Sequence, residues 1–106
     1  MTQYVLLVIS QVGSSKVEYV LVDVDVHNEG IEEGYEDSYS NLSYEFLDEY
    51  FEEIRKGLRN GHCIHFANTC DLINYSCENE FEILSEFPMQ LESHLLRKFL
   101  RWYYGQ

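Results

Sequence analysis

Between Val17 and Ile54 this sequence contains no lysine and no arginine, while it holds 13 aspartates and glutamates. A surface built from that third of the chain has nothing with which to grip phosphates, so direct nucleic-acid binding is not expected of it. Proline is nearly absent too. Pro88 stands alone and no low-complexity linker interrupts the chain, so residues 1–106 read as a single domain. Long apolar runs are missing as well: the N-terminal run stops at Ile9, with no basic residues before it, which argues against a leader and against a membrane span. Only three cysteines occur, Cys63, Cys70 and Cys77, an odd number without a disulfide-framework pattern, and a reduced cytoplasmic protein is the natural expectation. Glycine-rich phosphate loops, nucleophile elbows and two-histidine zinc helices are all lacking.

What is present supports a packed core. Hydrophobic residues make up 45% of the chain and aromatics 15%, against a net charge of −12. Such a chain folds despite its charge, repels nucleic acid and anionic membranes, and attracts basic surfaces.

Periodicity predicts the elements. Residues 4–11, YVLLVISQ, are apolar on both faces and β-branched, as in a strand covered on both sides. VGSS supplies a turn, and KVEYVLVDVDV resumes a strand, completing a hairpin. Its alternation puts Val20, Val22, Val24 and Val26 on one face and Tyr19, Leu21, Asp23 and Asp25 on the other. Residues 27–42 read as a long loop. Ser43 can then cap a helix from Tyr44 to Arg59, whose Leu47, Tyr50, Phe51, Ile54 and Leu58 form one apolar stripe and which Asn60-Gly61 ends. HCIHFA reads as a short strand, NTCD as a turn, LINYS as a further strand and FEILSEF as one that could pair with it. Pro88 fits the first turn of a final helix carrying Leu91, Leu95, Phe99 and Tyr103. The expected fold is α+β, a mostly antiparallel sheet with two amphipathic helices in the order ββαββ(β)α.

Two candidate metal sites follow from residue type. An EF-hand-like calcium loop starting at Asp23 would have Asp25 at its third position. It then finds His27, Asn28 and Gly34 at positions five, six and twelve, where an oxygen ligand, the turn glycine and the bidentate carboxylate belong, so no dedicated calcium site is expected. The cluster His62, Cys63, His65, Cys70 and Cys77 offers zinc ligands, but no pair has the usual spacing. Cys63 and His65 share a strand face and could form a nucleophile and its base, although side chains so placed lie about 7 Å apart. These readings leave a small metal- or cysteine-dependent enzyme as an alternative, with no cofactor and no enzymatic activity expected. The C-terminal RKFLRWYY mixes cations with aromatics, and its cations read more simply as complementing a helix dipole.

The acidic run remains. Residues 23–39, DVDVHNEGIEEGYEDSY, hold seven carboxylates and two tyrosines, and YEFLDEYFEEI continues the pattern. Tyr19, Tyr35, Tyr39 and Tyr44 are interleaved with the acids, and tyrosine anchors interfaces well. In size and acidic, aromatic character the chain resembles the immunity proteins that protect bacteria from nuclease toxins. That resemblance implies a small cytoplasmic inhibitor, monomeric outside its complex, that occludes the basic active site of a toxin. The residues it implies for the partner surface are Asp23, Asp25, Glu29, Glu32, Glu33, Glu36 and Asp37, with Tyr35 and Tyr39 as anchors. A phage-type DNA mimic that blocks a restriction or CRISPR nuclease would use the same physics.

Overall fold

The computed structural model describes residues 1–31 and 44–104, with side chains described at 1–29 and 47–99. Strand β1 (Thr2–Gln11) and strand β2 (Val17–Asp23) form the expected antiparallel hairpin. Helices α1 (Val24–Ile31) and α2 (Tyr44–Asn60), strand β3 (Cys63–Phe66), helix α3 (Thr69–Glu78), strand β4 (Phe81–Leu91) and helix α4 (Ser93–Tyr104) follow. The four strands make one sheet in the order β3-β2-β1-β4, antiparallel except where β4 runs parallel to β1. The fold is α+β, as expected, with four helices among the described residues rather than two.

β1 is buried on both sides because it lies inside the sheet and each face is covered. Val5, Leu7 and Ile9 point to the larger core, with Val20 and Val22 of β2 and Phe87, Met89 and Leu91 of β4. The apolar stripe of α2 packs there, with Tyr50, Phe51 and Ile54 fully buried, joined by Leu96 and Phe99 of α4. The opposite face carries Tyr4, Leu6, Leu21 and Phe66, against which Leu72 and Tyr75 of α3 pack. Gly61, at φ 81°, and the bond from His62 N–H to the Gly57 carbonyl at 2.8 Å close α2 in the way a C-terminal glycine permits.

Four expectations need correction. β2 stops at Asp23, so the V-x-V-x-V alternation does not continue a strand: Val24 and Val26 belong to α1. Asp23 Oδ1 accepts the Asp25 N–H at 2.9 Å, an N-cap that turns the chain into a helix where a loop was expected. The NTCD turn and LINYS strand are instead helix α3, started by Asn68, whose side chain accepts the Asp71 N–H at 2.9 Å. FEILSEF pairs with β1, not with a neighbour from LINYS, and Pro88 lies inside β4 rather than in a helix. β4 is an edge of the sheet, and since the Leu91 carbonyl faces β1, alternation turns the Pro88 nitrogen to the free edge, where no N–H is missed. Leu91 accordingly ends β4, and α4 buries Leu96 and Phe99 with Leu95 half-buried. Ser43 lies outside the described residues.

Candidate functional site

The capped start of α1 stands beside the last turns of α2, and a cleft of about 390 Å³ opens between them. Asp23, Asp25, Glu29 and Glu53 line it with Lys56, Asn60 and His62. Among the described residues four carboxylates thus face one lysine, and that lysine is already paired with Glu53 at 3.2 Å. The surplus charge sits on Asp23, Asp25 and Glu29. Asp25 and Glu29 are one helical turn apart and exposed, so they project together. Like charges at that spacing cost a few tenths of a kcal/mol in an isolated helix.

Something must hold this acidic helix in place, and His27 does. It lies roughly 200° round the helix from Asp25 and is buried, 6% exposed. Its Nδ1 shares a hydrogen bond of 2.6 Å with Tyr50 Oη, and its ring meets Phe87 edge-on with centroids 5.6 Å apart. Burial lowers the His27 pKa, so the ring is neutral near pH 7. Below the cleft, Gly57 lets β3 approach α2: a Cβ there would collide with Cys63 Sγ.

A second polar pair lies deeper. Glu18 and His65, both buried, face each other across β2 and β3, His65 Nε2 lying 3.5 Å from Glu18 Oε1. Phe99 of α4 stands 6.3 Å from the imidazole, centroid to centroid. Desolvation lowers the His65 pKa, and the neighbouring Glu18 offsets part of that effect.

The candidate residues divide as follows. Asp23, Asp25 and Glu29 come together in the cleft. Glu32, Glu33, Tyr35, Glu36, Asp37 and Tyr39 lie outside the described residues. Tyr19 is not an anchor beside the acids: it is half-buried on the opposite face of the sheet, with its hydroxyl 3.0 Å from Thr69 Oγ1 of α3. Cys63 and His65 do share a strand face, but burial pushes the Cys63 thiol up to about 12, far from a reactive thiolate. Cys70 and Cys77 are exposed on α3, on the other side of the sheet from Cys63, so the Cys/His set does not converge. Among the described residues no group of three His, Cys, Asp or Glu is placed to hold a metal ion. At the C-terminus, Lys98 pairs with Asp48 of α2 and Phe99 is core.

Glu53 and Lys56 join the cleft without having been singled out, and His62, named above only as a candidate zinc ligand, lines it too. The only sequence signal of Glu53 and Lys56 was position, off the apolar stripe of α2. Glu18 had a clearer signal, because alternation puts it on the same face as Val20 and Val22. Among the described residues no helix is long and apolar enough to cross a membrane. Comparison with protein-family models, with curated proteins and with solved structures finds no match for the chain.

Proposed function

We propose that this chain is a small cytoplasmic inhibitor of the immunity-protein kind, which binds and occludes the basic active site of a toxin, most naturally a nuclease. The observation that carries this reading is the cleft between α1 and α2, where Asp23, Asp25 and Glu29 leave a surplus of negative charge in a concave site. A nuclease holds its polyanionic substrate with Lys, Arg or His, and carboxylates at similar spacing can pair with the same cations. The 13 acids between Val17 and Ile54 give this third of the chain a strong negative charge, which speeds encounter with a basic partner. The role of the cleft is recognition.

Affinity capture tests the reading. The chain is used as bait in lysate of its own source and eluted along a salt gradient, and the captured protein is assayed for nuclease activity with and without added chain. One basic protein held in stoichiometric amount, and silenced by the chain, supports the proposal. Scattered basic proteins leaving at low salt would reduce the acidic run to a solvated surface. Capture of a large DNA-binding complex instead of a toxin would favour the DNA mimic.

A further inference from the structure

Helix α3 is amphipathic in an unusual sense. Its inner side places Leu72 and Tyr75 on the second core cluster, and none of its residues is buried. Its outer side carries Cys70, Ile73, Asn74 and Cys77, all exposed, with Ile73 at 54%. The spacing i, i+3, i+4, i+7 puts these four on one stripe, with a thiol at each end. Two cysteines seven residues apart on a helix lie about 10.5 Å apart along its axis. A disulfide needs Cα atoms within roughly 7 Å, so the two cannot bridge within one helix. Cys63 is buried on the far side of the sheet and is out of reach of both.

A second copy of the same chain removes the obstacle. Two α3 helices packed antiparallel about a two-fold axis between Ile73 and Asn74 set Cys70 of each against Cys77 of the other. The two thiols lie at equal distances from that axis, so both bridges close together, as an isologous interface requires. We infer that α3 is a thiol-linked self-association face, through which two copies join by a pair of Cys70–Cys77 disulfides under oxidising conditions. The stripe is about 15 Å long and about 10 Å wide, far below the roughly 800 Å² per partner of a stable non-covalent interface. Asp71 and Glu78 also sit on one flank, where each faces the other's counterpart in the second copy. Reduced chains therefore stay apart, and the sulfur bonds hold the dimer.

The chemistry balances with a low-molecular-weight disulfide as oxidant. A thiolate of one chain attacks that disulfide, forming a mixed disulfide and releasing one small thiol. The facing thiolate of the second chain attacks the mixed disulfide at the protein sulfur, forming the interchain bond and releasing the second small thiol. Each interchain bond consumes one oxidant molecule and two protein thiols.

The test uses the purified full chain with oxidised glutathione, read by intact mass and non-reducing electrophoresis. The expected product is a dimer four hydrogens lighter than two chains, which reverts on reduction and forms faster as added salt screens Asp71 and Glu78. Cys70→Ser alone and Cys77→Ser alone each lose the dimer, whereas mixing the two variants restores a singly linked heterodimer. Ile73→Asp, which places carboxylates at the axis, slows linkage. A wild-type chain that ends as a glutathionylated monomer overturns the inference. So does either single cysteine variant that dimerises as readily as wild type, or a Cys70–Cys70 linkage.

Discussion

His27 Nδ1 and Tyr50 Oη are joined by a buried hydrogen bond of 2.6 Å that ties the acidic helix α1 to helix α2. One side of α1 thereby serves as an anchor and the other as a display surface, with Asp25 and Glu29 held at the cleft. Tyr50→Phe keeps the ring but strands a buried imidazole nitrogen, which costs about 1 to 3 kcal/mol. Urea unfolding checks this. A variant as stable as wild type would mean the bond does not hold α1.

The same histidine makes stability depend on pH. The folded-state pKa values of His27 and His65 are lowered, chiefly by desolvation, from an ordinary value of 6.5. The unfolded chain therefore takes up protons first, and the stability these residues contribute is full above that value. It is lost as pH falls from there through the depressed folded values. Urea midpoints should hold steady from pH 8 to pH 7 and decline below about 6.5, with the decline reduced in His27→Gln.

Gly57 is a position where a better helix former should harm the protein. Alanine in a helix interior normally gains up to about 1 kcal/mol over glycine, but here its methyl group meets Cys63 Sγ. Overpacking of this kind costs about 1 to 3 kcal/mol, so Gly57→Ala should be destabilising on balance. In a Cys63→Ala background the clash is gone, and the same change should become neutral or stabilising. A double-mutant cycle in urea measures that coupling.

The three thiols should fall into two classes. Cys70 and Cys77 are exposed, while Cys63 is buried with its pKa raised to about 12. A chromogenic disulfide reagent at neutral pH should titrate two thiols in the native chain and the third after denaturation. Rapid reaction of all three would contradict the packing of Cys63 beneath Gly57.

Where the sequence was legible, one periodicity dominated. The stripe from Leu47 to Leu58 could only be a helix, and YVLLVISQ had to be an inner strand. Errors arose where short segments carried two patterns at once. Val20 to Val26 alternate as a strand does, yet the Asp23 cap and the burial of His27 against Tyr50 and Phe87 turn the second half into a helix. Tyr50 and Phe87 lie more than twenty positions from His27, and local pattern does not contain them. LINYS is β-prone in composition, but the Asn68 cap starts a helix and Tyr75 seals it on Phe66. Pro88 misled for a different reason: it excludes a central strand and allows an edge, and strand order is a tertiary property. Asp23, Asp25 and Glu29 could be named as candidates from charge alone, whereas their meeting with Glu53 and Lys56 follows only from how α1 packs on α2.

The most direct test of the acidic cleft is the association rate with the captured basic partner, measured for wild type and Asp25→Lys/Glu29→Lys from low to high salt. Both chains should unfold at similar urea concentrations, because these side chains are exposed. The wild-type rate should approach about 10⁸ M⁻¹s⁻¹ at low salt and fall steeply as salt is added. The variant should be at least about tenfold slower at low salt and converge with wild type at high salt. Equal rates with equal salt dependence would contradict the account and place the partner surface elsewhere.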